Sequence, residues 1–446
     1  MARLLHLSHL LGWHHARLWL AGLRPSRLAA SWRWLHRQRE VLLRRRREPR
    51  LTVGVDVSPF WEPLTGIGWY LFRLLQHLAQ RDDVRLRLYG PDLVDKGDQP
   101  PPVESLPEGP AIEVVRWRIP EDFSVVHYWL ADRLRGRERW LVSRDRNDIL
   151  FAPNFLPPPR FRDCPGALVT TVHDLAVEVV PETMRESTRE QLAAGLRRAM
   201  EESALVLTDA EAVRGEIIRA GLAPSERVRA VHLAPASGAG TEVPGQRLEG
   251  LPERYVLHVG TLEPRKNLPV LLDAFEALLS SWNAPEEPPS LVLVGGMGWK
   301  SEALSARLAS LDDSGWLHRE GYADEDRLAR IYRHAEWLVL ASRYEGFGLP
   351  AVEAMAASVP LLLSDLPVLR EIAGDAALYA SAGDVPAWTQ LLRKALTDAS
   401  LRLEMVSRAQ ARSRRFDWRR TADETVAAWR DAARAHPVQR RGRVSL

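Results

Sequence analysis

From residue 51 onward, short runs that are apolar at every position alternate with longer stretches whose apolar residues recur every three or four positions. The first pattern predicts strands at 51–57 (LTVGVDV), 84–89, 112–116, 148–152, 168–172, 204–208 and 228–233. Residues 65–80 (TGIGWYLFRLLQHLAQ) read as a glycine turn running into an amphipathic helix. Strands that are apolar throughout, rather than at alternate positions, are covered on both faces, which predicts parallel sheets with helical crossovers. Residues 234–251 lack periodicity and are rich in Ala, Gly, Ser and Pro, so they read as a linker. The pattern then restarts, with strands at 255–260, 291–296, 316–321, 337–342 and 360–364 and helices at 268–281, 325–334 and 350–357. Helical periodicity dominates from 385 to about 434.

This arrangement predicts an α/β protein with two Rossmann-like domains facing each other across a cleft, residues 51–233 and 252–434. Residues 1–50 form a leader before them and residues 435–446 a basic tail. A chain of 446 residues is too long for one ordinary core, which agrees with that division. Ligands of doubly wound sheets bind beyond the carboxyl ends of the strands, so polar residues there are the candidates for chemistry.

Charge changes the picture at the N-terminus. Residues 1–50 carry twelve Arg and two Glu, a net +10, while the whole chain is only +3, leaving −7 for residues 51–446. Trp13, Trp19, Trp32 and Trp34 are interspersed among leucines, histidines and the Arg44–Arg47 block. Tryptophan favours membrane–water interfaces and clustered arginines attract anionic headgroups, so the leader is expected to dock on a membrane surface, with a disordered or partner-binding arm and an upstream extension of the gene model as the alternatives. Arg17 and the histidines interrupt any spanning helix. No folded recognition motif accompanies the arginines, and nucleic acid is not an expected partner. One cysteine, Cys164, excludes an internal disulfide and a cysteine-based zinc site.

The most informative stretch is 336–364, EWLVLASRYEGFGLPAVEAMAASVPLLLS. An apolar run ends at Ser342, a glycine loop follows, and a helix opens at Pro350. A strand feeding a glycine loop into a helix N-terminus binds anions, because free N–H groups and the helix dipole point at the crevice. Glu345 on the loop and Glu353 on the helix would be repelled by a phosphate unless they hold something else. A sugar diol suits them, since a carboxylate only accepts hydrogen bonds and a diol supplies two donors. The neighbours of Glu353 are small or apolar, so its carboxylate is expected to be buried and partnered.

Four further features fall at strand ends. In VGTLEPRKN (259–267), Arg265 and Lys266 precede a helix and could neutralise a pyrophosphate; Lys266 is one of only four lysines. The alternative is a solvated charge pair. Gly66 and Gly68 allow close backbone approach after the first strand, or merely a tight turn. His173 follows the strand at 168–172, as a catalytic or a packed histidine. Gly295-Gly296-Met297-Gly298 does not complete a dinucleotide fingerprint, because Ser301 stands at its last position. Asp324-Glu325-Asp326 lies at a helix start, where acidic residues are expected without any metal.

Over roughly residues 51–430 these motifs together resemble retaining glycosyltransferases of the GT-B fold, family 4. EGFGLPAVEA presents that family's paired glutamates as Glu345 and Glu353, VGTLEPRKN its phosphate segment, and TGIGWY and VHDL its first-domain loops. The resemblance implies that Lys266 and Arg265 hold the donor diphosphate, with the amides of Gly346, Phe347, Gly348 and Leu349 and the Gly66–Gly68 loop. It implies that Glu353 grips the ribose, Glu345 contacts the sugar, and His173 sits near the reacting carbon. Thr261, Trp69 and Ser358 stand where relatives often carry Arg, Arg and Gly. The TLEPRKN variant resembles bacterial mannosyltransferases, implying a GDP-mannose donor, no metal, and a glycan or lipid-linked acceptor at the inner face of the plasma membrane. A UDP-sugar donor, or a non-catalytic nucleotide-sugar-binding protein, is the alternative.

Overall fold

The computed structural model describes residues 50–61, 66–92, 106, 109, 111–118, 142–158, 161, 163–235 and 248–437. The leader up to Pro49, the tail from Val438, Thr65 and most of the expected linker lie outside the described residues. Among the described residues no helix is long and apolar enough to cross a membrane.

Seven strands form the first sheet: β1 Leu51–Asp56, β2 Val84–Asp92, β3 Ile112–Arg118, β4 Ile149–Ala152, β5 Ala167–Val172, β6 Leu205–Thr208 and β7 Val228–Ala230. Six form the second: β8 Tyr255–Val259, β9 Ser290–Val294, β10 Leu317–Gly321, β11 Trp337–Leu340, β12 Leu361–Ser364 and β13 Ala377–Ala380. Their orders are β3-β2-β1-β4-β5-β6-β7 and β10-β9-β8-β11-β12-β13, so each sheet reverses its winding direction once, at β1/β4 and at β8/β11. Parallel pairing runs through β8–β9, β8–β11, β11–β12 and β12–β13 in the second sheet, and through β4–β5 and β5–β6 in the first. Every residue of β8, β11 and β12 is buried, as their unbroken apolar composition predicts. β13 ends the stretch LREIAGDAALYA, where apolar and small residues mix without a clear period, and sequence pattern did not reveal it.

Helices cover both sheets. Those that matter below are α1 Gly66–Leu78, α2 Glu186–Glu202, α3 Glu211–Arg219, α4 Leu268–Ser280, α5 Glu302–Leu311, α6 Glu325–His334, α7 Leu349–Ala356, α8 Pro367–Ala373, α9 Val385–Thr397, α10 Ala399–Ser413 and α11 Trp418–Ala435. In α1 the buried side chains include Tyr70, Leu71, Leu74, Leu75 and Leu78, one stripe at helical spacing. The second core gathers Val256, Leu271, Phe275, Leu291, Trp337 and Trp388, with Trp316 stacked on Phe275 at 5.4 Å. Burying each such side chain contributes about 1.5–3 kcal/mol.

The last helix departs from the expected division. Periodicity places it in the second half, yet α11 packs on α1, β4 and β5 of the first. Its buried face runs Trp418, Thr421, Ala422, Thr425, Val426, Trp429 and Ala432, and the Trp429 ring meets Phe151 edge-on at 5.0 Å. An apolar stripe states that a helix must be covered and does not say by which sheet. The acidic run Asp324–Asp326 sits at a helix start as expected: Asp324 caps α6 by accepting from the Arg327 amide at 2.8 Å, and Glu325 pairs with Arg73 of α1. Arg73 also lies over the Trp69 ring at 5.5 Å. Ser358, where relatives often have glycine, adopts φ 64°, the left-handed conformation that glycine tolerates best.

A second bond between the halves replaces a missing cap. Ala210, at the N-cap of α3, has no side chain to offer. Glu371 of α8 supplies the acceptors instead, taking the amides of Glu211 and Ala212 at 2.8 and 2.7 Å, with His232 Nε2 2.6 Å from one of its oxygens. Glu371→Ala is expected to lower stability by about 1–2 kcal/mol, the usual worth of a helix cap, read as a fall in the thermal unfolding midpoint. An unchanged midpoint would show that the cap is not carried by this residue.

Candidate active site

The winding reversal of the second sheet places the loops after β8 and β11 side by side. Glycine lets those loops, and the one after β9, cross closely. Gly295 has φ 138°, and a Cβ there would collide with the carbonyl of Gly260. The glycines that sequence reading excluded from dinucleotide binding thus serve the close packing of loop backbones. After β8 a short turn over Pro264–Lys266 ends at Asn267, whose φ is 58°. The Asn267 amide donates to Ala341 O at 2.9 Å, and Arg343 N donates to Arg265 O at 2.8 Å, stitching the two loops together.

This stitching brings three candidate residues into contact. Lys266 Nζ donates to both oxygens of Glu345, at 2.7 and 3.0 Å, and Ser342 Oγ donates to the first of them at 2.6 Å. Arg265 Nη1 stands 3.6 Å from the other oxygen, while its Nε pairs with Glu263. Lys266, Glu345 and Glu263 are only 6 %, 5 % and 1 % exposed. Burial pushes the Glu345 carboxyl upward, but Lys266 and Arg265 outweigh it, and the net displacement is below the ordinary carboxylate range. His258, wholly buried in β8, is pushed down to about 4, by burial first and by Lys266 second, and stays neutral.

The solvated-pair alternative does not describe Lys266, which is buried against Glu345; Arg265, its side chain 19 % exposed, is partly buried beside Glu263 and Glu345. Glu263 was not singled out from the sequence, although it lies within VGTLEPRKN; its neighbouring cations were the available signal. Two positive and two negative side chains balance, so an incoming diphosphate needs more than these cations. The N-terminus of α7 is close at hand. Gly348 caps it with φ 92°; Pro350 has no amide and the Ala351 amide donates to Gly348 O at 2.9 Å, so the donors available at this end are the Leu349 amide and those of the loop before it.

Glu353 projects from α7 and is 6 % exposed, with the Tyr332 hydroxyl donating to it at 2.8 Å. Burial, reinforced by that carboxylate, raises Tyr332 well above its ordinary range, so it remains a donor. The expectation of a buried, partnered Glu353 is met, with a partner that spacing could not name. Gly346 has a different neighbour: a Cβ on it would collide with the backbone carbonyl of His173, so the two halves touch there through glycine. Tyr344 OH bridges the same junction, 2.8 Å from both Leu175 N and Glu216 Oε2. Phe347 is buried and meets His232 and Phe416 with ring centroids 6.1 Å apart in each case.

His173 itself has both ring nitrogens engaged, Nδ1 with Asp209 Oδ2 and Nε2 with Pro153 O, each at 2.7 Å. Gly66 and Gly68 open α1 beyond the carboxyl end of β1, and a Cβ on Gly66 would meet nothing within 4 Å. That glycine therefore leaves open space instead of relieving a tight turn.

Two doubly wound domains with a buried, charged cluster at the strand carboxyl ends define a class, the two-domain α/β enzymes that take nucleotide-linked substrates. Comparison with known proteins specifies it. Residues 242–412 match the family described as glycosyl transferases group 1. The chain is 31 % identical over 389 residues to the O-antigen chain mannosyltransferase B of Escherichia coli, covering 84 % of this chain and 98 % of that one. Among solved structures, sucrose-phosphate synthase of Thermosynechococcus elongatus superposes with a TM-score of 0.66 at 18 % identity, over 86 % of this chain and all of that one. Anabaena HepE in complex with UDP-glucose gives 0.62 at 17 %, with the same coverage. The chain belongs to the glycosyl transferases group 1 family; it is a glycosyltransferase, and its fold is GT-B.

Lys266→Met would leave the Glu345 carboxylate buried with the Ser342 hydroxyl and Arg265, 3.6 Å away, as its partners, at an expected cost of about 3 kcal/mol near neutral pH. Because the folded state holds the Glu345 acidity below its unfolded value, the pair's stabilisation is present above about pH 4.3 and is lost as pH falls through the lowered folded value. Chemical denaturation of wild type and variant across pH should show a deficit that shrinks on acidification. A deficit independent of pH would contradict the ion-pair account.

Proposed function

We propose that this glycosyltransferase is a retaining, family 4 enzyme that moves mannose from GDP-mannose to a glycan or lipid-linked acceptor of a surface polysaccharide. The observation that carries the reading is the buried Arg265–Lys266–Glu345 cluster at the winding reversal of the second sheet, beside the amides that open α7. Likeness to the O-antigen mannosyltransferase over nearly the full length of both chains supports the choice of mannose.

In the reaction, the bond between the anomeric carbon and the diphosphate oxygen breaks. A bond to the acceptor hydroxyl oxygen forms, and the hydroxyl proton passes to the departing phosphate. Negative charge grows on the diphosphate, so fixed cations and amides there lower the barrier. Lys266 has three N–H bonds, of which Glu345 takes two, leaving one for a phosphate oxygen. Arg265 and the amides of Gly346, Phe347, Gly348 and Leu349 add donors, with Gly66 and Gly68 facing them from the first half. Glu353 is assigned to the ribose and Glu345 to the transferred sugar. With these groups supplying the positive potential, the transfer is expected to proceed without a metal. No covalent nucleophile is assigned, and attack is on the face from which the phosphate leaves.

Equilibrium binding of GDP, UDP, ADP and NAD to wild type and Lys266→Ala tests the donor site. GDP should bind most tightly, and the variant should lose affinity at least tenfold, the equivalent of one charge-assisted hydrogen bond of about 1.4 kcal/mol or more. Preference for UDP would reassign the donor base while keeping the site, whereas NAD preference or no binding would remove the assignment.

The arginine- and tryptophan-rich segment 1–50 is proposed to hold the enzyme at the inner face of the plasma membrane, where a lipid-linked acceptor would lie. A chain lacking residues 1–50 should leave vesicles containing anionic lipid while still hydrolysing donor. Equal partitioning of the full and shortened chains would refute this role.

A further inference from the structure

His173 lies just beyond β5 with its side chain 18 % exposed, and its hydrogen bonds pose a question of proton count. Nδ1 faces a carboxylate oxygen of Asp209, just past β6, and Nε2 faces the carbonyl oxygen of Pro153, just past β4, each at 2.7 Å. Both partners are acceptors. A neutral imidazole carries one N–H and one lone pair, so it can satisfy only one of them and would set its lone pair against the other. An imidazolium satisfies both.

We propose that Asp209 is a positioning residue that keeps His173 doubly protonated, so that the ring ties together the carboxyl ends of β4, β5 and β6 beneath the crevice. The surroundings agree. Burial disfavours the charged ring, but the Asp209 carboxylate outweighs it with help from the Pro153 carbonyl and Asp174, and the net shift of His173 is upward. Tyr70 of α1 packs edge-on at 5.1 Å; burial raises its hydroxyl, which stays neutral and 3.4 Å from Thr171 Oγ1. His232 also acts on the pair, through Asp209. Burial raises the Asp209 carboxyl and His173 opposes that rise, and because imidazole starts about 2.5 pKa units above a carboxylate in water, the two acceptors facing the ring assign the shared proton to it.

Two consequences follow for the site. A ring with both nitrogens protonated has no lone pair, so His173 holds a position and does not accept a proton from the acceptor hydroxyl. The tie also acts across the crevice. The His173 carbonyl is the surface against which Gly346 packs, so the proton that fixes the β5 end also fixes where the loop ahead of α7 meets the first half.

The test needs no substrate and is independent of the donor assignment. The full-length protein labelled with ¹⁵N-histidine gives ring signals, and that of His173 is identified by its loss in His173→Gln. In the wild type both ring nitrogens should be protonated at pH 7, with deprotonation displaced upward from the value of about 6.5 for an exposed histidine. In Asp209→Asn the amide can donate to Nδ1, so the ring should be neutral at pH 7 with its proton on Nε2. A wild-type ring that is neutral at pH 7, or an Asp209→Asn ring that titrates as the wild type does, overturns the proposal. If Asp209→Asn does not fold, the wild-type titration decides by itself.

Discussion

The order of strands in the second sheet is the constraint on which the site depends. Parallel strands wound outward in both directions from β8 and β11 leave their two following loops without a crossover between them, and these loops must share one space. Four backbone features let them do so: Gly260 and Gly295 in contact, the left-handed turn at Asn267, and Gly348 at the head of α7. Once the loops are in place, Lys266 and Glu345 have no water to face and can only face one another. The buried ion pair is thus a product of topology, and it would be destabilising in any sheet order that separated the two loops.

The same cluster keeps its buried charges in balance. Arg265 and Lys266 are already matched by Glu263 and Glu345, so the unliganded site is near neutrality in spite of its cations. That balance lets two cations remain buried without a ligand. Glu353 sits apart from this exchange, held by a tyrosine whose proton is locked on by burial.

Contacts between the halves repeat a single device, backbone or carboxylate atoms of one half completing the other. Gly346 rests on His173, Tyr344 takes up the Leu175 amide, Glu371 caps α3, and α11 covers the first sheet after leaving the second. Each is short-range and polar or small, so the crevice is bounded by groups whose geometry is fixed and whose displacement would leave buried donors unsatisfied.

The strands from β1 to β12, and the helices α1, α4, α6 and α7, were legible in the sequence because their burial on one or both faces writes a period of two, 3.6 or none into the residues. The burial of Lys266, Glu345 and Glu353 was legible where charge stands amid small and apolar neighbours, and Glu263, two residues from its partner Arg265, was passed over. Tyr332 and Asp209 were not legible, because each meets a partner far along the chain: Tyr332 is 21 residues from Glu353, and Asp209 is 36 from His173. The helix α11 was recognised, but not the sheet it covers. Local patterning thus determined which segments fold, which faces are buried, and which residues are candidates for the site. Only the tertiary structure decided which buried charges meet and how protons are distributed among them, because those depend on distances that no spacing along the chain encodes.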